Sequence, residues 1–250
     1  RNKKRRQLRG QRRVMRRRAQ RIAEWLRSTD ADIVLLQEAV PQERLRTDGF
    51  FGLGDVYPYQ PSLASDTWGN HAMTRLPLIA DESAAMTAQQ PRYQRLVVEF
   101  AGQQVAIYNV HTIVPMARLQ RFNIPFLGNY SVMAASYDDS QRNAQIRHLI
   151  EMLQGETLPY LVVGDFNMSD QSALYRELAA FMGDSFREAG YGLGTSWPRA
   201  QSGLLSLLPP LVRIDYIWHS REWRAVSAAQ GPYLGSDHLP LLATLALVNN

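Results

Sequence analysis

Pro159-Tyr-Leu-Val-Val-Gly-Asp-Phe-Asn167 is the stretch on which the reading of this chain turns. A short apolar run between turn residues reads as a strand buried on both faces. Such a strand has little packing reason to break into Gly-Asp-x-Asn. Asp165 and Asn167 therefore stand where a strand leaves its sheet, and such exits carry working groups more often than cores do.

The same pattern recurs on both sides. Ala31-Asp-Ile-Val-Leu-Leu-Gln-Glu38 is an apolar run that ends on Glu38, and residues 104–111 (QVAIYNVH) end on His111. Residues 94–100 precede that run across Ala101-Gly102, which reads as a hairpin turn. Further strands are expected at Tyr57–Gln60, His71–Arg75, Leu78–Asp81, 211–218 and 240–247. The strand over 211–218 is likewise read as terminating in Asp215, within Arg213-Ile-Asp-Tyr216, and Asp237-His238 precedes the last strand. Apolar spacing at Met15, Ala19, Ile22, Ala23 and Leu26 predicts a helix running to Ser28. Ile146, Leu149, Ile150 and Leu153 predict a second over 141–154, and Ser169-Asp170 offers a cap for a third over roughly 171–182. Helices and strands alternate without a strict βαβ rhythm, so the expected class is mixed α/β with two sheets. The long segment Thr112–Ser140 reads as a loop that lines or covers a site; its apolar residues over 116–130 and the stretch Leu204–Leu211 are expected to be loop packing, with a substrate-covering or lipid-facing rim as the alternative.

The 250 residues hold no cysteine, which excludes thiolate metal sites, cysteine nucleophiles and disulfides. The net charge of +5 is a property of one end: residues 1–27 contain thirteen Lys and Arg and one acid, Glu24. Residues 28–250 are left with 15 bases against 22 acids. The boundary is accordingly drawn between a basic segment, 1–27, and a domain, 28–250. The arginine run reads as a solvated helix or a membrane-proximal stretch before a nucleic-acid contact. No run of 18 apolar residues occurs.

Any one of these acids, taken alone, is better read as a turn or cap residue, and His111 as a hydrogen-bonded strand end. Together they offer three carboxylates and an amide suited to a hard divalent cation, with two imidazoles for proton transfer and phosphate contact. That inventory suits hydrolysis of a phosphoester, where charge must be neutralised and a water aimed in line with the leaving oxygen.

At Ala31–Glu38, Gly69–Pro77, Tyr108–His111, Val163–Asn167, Arg213–Tyr216 and Ser236–His238 the sequence resembles the endonuclease/exonuclease/phosphatase superfamily, in the family's order along the chain. The resemblance implies a four-layer αββα sandwich with two facing mixed β-sheets, the DNase I-like fold. By it, Glu38 binds Mg²⁺ or Mn²⁺ and Asp237 supports the metal site. Asp165 orients or deprotonates the attacking water, and Asn167 contacts the phosphate. Asp215 pairs with His238, which touches the scissile phosphate, and His111 assists there or at the leaving group. Asn70 is a weaker phosphate contact, and for His71 the structural reading is preferred. Family members open with a strand ending in a metal-site Asn; no such strand precedes Glu38 here, and Asn2, among Arg1, Lys3 and Lys4, is not given that role. The first strand is therefore expected to be missing or to lie upstream of Arg1.

The function implied is a metal-dependent phosphodiesterase, nuclease or phosphatase acting by direct attack of water. The alternative is a weakened member serving as a binding or scaffold module. The substrate is a small phosphodiester, a phospholipid head group or nucleic acid, with no obligate protein partner and no compartment indicated.

Overall fold

The computed structural model describes residues 17–39, 44–45, 49–61, 69–87, 90–115, 137–199 and 208–248. They form two compact units, one ending at Pro77 and one beginning at Leu78. Arg1 to Arg16, where the missing first strand is at issue, lies outside the described residues, as do most of Thr112–Ser140 and part of Leu204–Leu211.

In the first unit, helix α1 spans residues 17–29 and ends where Asp30 takes a positive φ of 53°, a conformation that Asp tolerates at a helix end. Its apolar face is the one the spacing predicts: Leu26 is buried, and Ala19, Ile22 and Ala23 pack against the cluster of Val34, Phe50, Leu53, Tyr57 and Met73. Strand β1 (Ile33–Leu36) is followed by the short pair β2 (Arg44–Leu45) and β3 (Gly49–Phe50), then by β4 (His71–Thr74). β1 and β4 pair antiparallel, Leu36 opposite His71. The strand expected at Tyr57–Gln60 reduces to one bridge, Tyr59 to Thr74.

The second unit is built on a six-stranded sheet. Its strands are β5 (Leu78–Thr87), β6 (Gln90–Phe100), β7 (Gln103–His111), β8 (Tyr160–Asp165), β9 (Gly183–Asp184) and β10 (Asp215–His219), in the order β5-β6-β7-β8-β10-β9. The β6–β7 turn is the expected one, with φ of 51° at Ala101 and 79° at Gly102. β7 and β8 run parallel, joined through helix α2 (Ser140–Gln154), and the other neighbours run antiparallel, so the sheet is mixed. Strands β11 (Trp223–Gln230) and β12 (Leu241–Leu247) form a separate antiparallel ladder.

Helix α3 (Ala173–Ala179) begins later than expected, with Ser172 rather than Ser169-Asp170 as its cap, because the Asp170 carboxylate is taken by Arg187. Helix α4 (Ser185–Ala189) is capped by Asp184. The strand expected over 211–218 starts only at Asp215, since Val212 is drawn into a bridge with Trp197. Asp215 thus opens its strand instead of ending it.

Side chains alternate across the sheet with period two. Ala106, Tyr108 and Val110 of β7, Tyr160 and Val162 of β8, and Tyr216 and Trp218 of β10 face one side, where Ile146, Leu149 and Leu153 of α2 and Leu174 and Leu178 of α3 complete the core. The odd-numbered residues, including His111, Asp165 and Asp215, face the other. Among the described residues no helix is long and apolar enough to cross a membrane.

Candidate active site

Three ionisable side chains meet because of register alone. In the parallel β7–β8 ladder His111 stands opposite Asp165, and in the antiparallel β10–β8 ladder Asp215 stands opposite the same residue. An antiparallel strand brings its first residue to the rim where its neighbour ends, so Asp215 belongs there although it opens its strand. Residues directly opposite share a face of the sheet. His111, Asp165 and Asp215 therefore form one row across three adjacent strands.

β8 can approach β7 so closely because of Gly164, whose φ of 149° and lack of Cβ leave room for the Val110 carbonyl oxygen. The chain then turns sharply. Asp165 Oδ1 accepts the Asn167 N–H at 2.8 Å, and Asn167 sits at a φ of 46°. The Asn167 amide nitrogen donates to the Thr112 carbonyl at 2.9 Å and reaches Asp165 Oδ2 at 3.3 Å. The backbone oxygen of Asp165 receives the Thr112 N–H, which ties the exits of β7 and β8 together.

His238 enters from the loop before β12. Its Nδ1 lies 2.9 Å from Asp215 Oδ2, the oxygen to which the buried Ser196 hydroxyl also donates. Its Nε2 lies 4.0 Å from Asp165 Oδ2, and His111 Nε2 lies 3.9 Å from that same oxygen. Both separations exceed a direct hydrogen bond and suit one bridging oxygen. Burial pulls the His238 imidazolium down, but the adjoining Asp215 and the charges of Asp165 and Asp237 outweigh it, and the pKa is pushed up to about 10. His238 is thus a cation at neutral pH.

Asp237, next to His238, is held by its own partners: the Trp197 indole N–H reaches its Oδ2 at 3.4 Å, and its carbonyl accepts the Arg199 N–H. Glu38 and Asn70 belong to the first unit. Glu38 follows β1 with a φ of 53° and is exposed, whereas Asn70 precedes β4 and is buried. His71 is structural, its Nε2 3.2 Å from the Ala39 carbonyl and its ring 4.5 Å from that of Phe50.

Asp165, Asp215 and His238 each offer an atom within 4.8 Å of the others, a group that could hold a metal ion. The two carboxylates suit a hard divalent cation in kind. His238 is the least available of the three, since its Nδ1 is committed to Asp215.

Sequence reading missed Ser196, Thr112 and Trp197, whose hydroxyls and indole leave no pattern. It also missed Arg142 and Gln145, which did leave one: both are buried polar residues on the face of α2 that carries Ile146 and Leu149.

No curated protein matches the sequence. Among solved structures, a functionally unknown conserved protein from Enterococcus faecalis shares 17% identity with a TM-score of 0.69, covering 92% of this chain and 91% of its own. A mannosyl-6-phosphatase from Bacteroides thetaiotaomicron shares 14% identity with a TM-score of 0.64, covering 92% of this chain and 91% of its own. Truncated TDP2 from Caenorhabditis elegans shares 16% identity with a TM-score of 0.65, covering 91% of this chain and 90% of its own. These likenesses establish the fold, the DNase I-like α/β sandwich. The Endonuclease/Exonuclease/phosphatase family model matches residues 8–238, which span the row on β7, β8 and β10 together with His238, and the chain belongs to that family of phosphoester hydrolases.

Proposed function

We propose that the protein is a divalent-metal-dependent phosphoester hydrolase in which water attacks phosphorus directly, with no covalent enzyme intermediate. The observation that carries this reading is the placement of two imidazole nitrogens, at 3.9 and 4.0 Å, around one oxygen of Asp165. A carboxylate so placed can orient a water and draw off its proton. The imidazolium of His238, aligned by Asp215 and Ser196, presents its Nε2 proton to a phosphoryl oxygen and takes up charge as it develops in the transition state. Asn167, pinned by Asp165 and Thr112, gives its amide a fixed direction at the same rim. His111 supplies a second donor or acceptor for the phosphate or the leaving oxygen.

Mg²⁺ or Mn²⁺, held by carboxylates from among Asp165, Asp215 and Asp237, supplies charge neutralisation and Lewis acidity when bound. Glu38 is proposed as a metal ligand, and Asn70 as a phosphate contact, from the family resemblance; Glu38→Gln and Asn70→Ala titrated with Mn²⁺ and with inorganic phosphate test them.

The decisive experiment is hydrolysis of bis-p-nitrophenyl phosphate by the full chain. Activity is expected with Mg²⁺ or Mn²⁺, disappears with EDTA, and falls by about 10²–10⁴ in Asp165→Asn and His238→Ala. Near wild-type rates in either folded variant would defeat the assignment. Failure to bind Mn²⁺ together with no nitrophenol release would favour a binding module instead.

A further inference from the structure

Helix α2 carries two polar residues where its apolar stripe calls for hydrocarbon. Arg142 is 3% exposed and Gln145 2%. Burying a guanidinium is costly unless its partners compensate, and leucine would serve the packing as well. The reason for an arginine has to be sought in what it touches.

Both residues are engaged with the loops that leave the sheet beside Asp165. Gln145 Oε1 accepts the Ile113 N–H at 2.9 Å, one residue beyond Thr112. Arg142 Nη1 donates to the Asn167 carbonyl at 2.8 Å. Its Nη2 is fixed from behind by Asp139 Oδ2 at 2.7 Å and Asn143 Oδ1 at 2.8 Å. The planar fork therefore spans a carbonyl on one side and a carboxylate with an amide on the other, which a single ammonium group cannot do.

Asn167 needs such a hold. Its φ of 46° lies in the left-handed region, which Asn enters more readily than most residues but which by itself leaves the direction of the side chain to be set by what holds the backbone. Its N–H is bound by Asp165 and its side-chain amide by Thr112 and Asp165, which leaves the carbonyl as the remaining handle. We infer that Arg142 is a positioning residue: its guanidinium fixes the Asn167 carbonyl and, through it, the direction of the Asn167 amide beside Asp165. Arg142 itself touches no substrate. The inference rests on the proposed role of Asn167 at the phosphate.

Two measurements on Arg142→Met, Arg142→Lys and Arg142→Ala in the full chain test it. In Arg142→Met, kcat is expected to fall about a hundredfold, as misplacement of a site group by about an ångström does, with KM for bis-p-nitrophenyl phosphate within about twofold. Arg142→Lys restores little of this, whereas free guanidinium restores part of the kcat of Arg142→Ala and leaves the wild type unchanged. Independently of activity, backbone amide exchange at Asn167, read by NMR in EDTA, is expected to quicken about tenfold in Arg142→Met while that at Val163 stays constant. Unchanged exchange at Asn167, or a change confined to KM, overturns the inference. A wild-type protein that hydrolyses no phosphoester overturns the hydrolase reading instead, and the exchange measurement then decides on Arg142 alone.

Discussion

His238 is the residue whose surroundings are most sharply set. Asp215 holds its Nδ1, Ser196 holds Asp215, and Asp165 faces its Nε2. Its folded pKa of about 10 lies above the ordinary value of about 6.5. The stability contributed by the pair is therefore full below about 6.5 and is lost as pH rises through about 10. In metal-free protein, NMR titration of the His238 ring is expected to give a midpoint far above 7. Asp215→Asn removes the charge and hydrogen bond that hold the proton, so its midpoint should drop by a unit or more. The stability gap between wild type and Asp215→Asn, measured by urea unfolding, should narrow from pH 7 to pH 10. A midpoint near 6.5 in the wild type would show that Asp215 and His238 are not paired in solution.

At the scale of elements, the site is a product of strand register, and β8 is its pivot. Gly164 lets β7 lie close enough for His111 to stand opposite Asp165. Gly164→Ala would push a methyl into the Val110 carbonyl at a φ of 149°. With backbone strain and a backbone clash together, it is expected to cost upwards of about 3 kcal/mol in urea unfolding and to lower activity as β7 and β8 separate. Gly155→Ala, at the end of α2 with a φ of −93°, is the control and should change stability by less than about 0.5 kcal/mol. How much of this the sequence disclosed follows the same division. His111 and Asp165, which register brings together, were legible because each closes an apolar run. Asp215 was found but set in the wrong place on its strand, since apolarity in 211–214 is no guide to whether those residues pair with β8 or with Trp197. β11 escaped notice because Trp223–Gln230 is largely exposed, rich in alanine and without alternation. Ser196 and Thr112 act through hydroxyl and backbone groups that no spacing rule distinguishes from loop polarity.

For the whole molecule the governing quantity is the separation of charge. Residues 1–27 carry thirteen bases, and the remainder carries seven more acids than bases. Residues 28–250 therefore offer little long-range attraction to a polyanion, and any duplex DNA binding should reside in the basic segment. Binding measured at low salt is expected to fall steeply as salt rises, and to weaken at least tenfold when Arg12, Arg13, Arg16, Arg17 and Arg18 are replaced by Gln. Hydrolysis of bis-p-nitrophenyl phosphate should survive that replacement. DNA affinity unaltered by the replacement would argue against the basic segment and for a contact within residues 28–250.

The row of His111, Asp165 and Asp215 has one more consequence. Its alignment is stored in the ladders of β7, β8 and β10 and owes nothing to the length of the connections between them. Directed evolution that leaves residues 103–112, 160–167 and 215–219 untouched, together with Glu38, Asn70, Arg142, Gln145, Ser196, Asp237 and His238, and diversifies only the surrounding loops, should retune selectivity while the proposed hydrolytic groups stay in place.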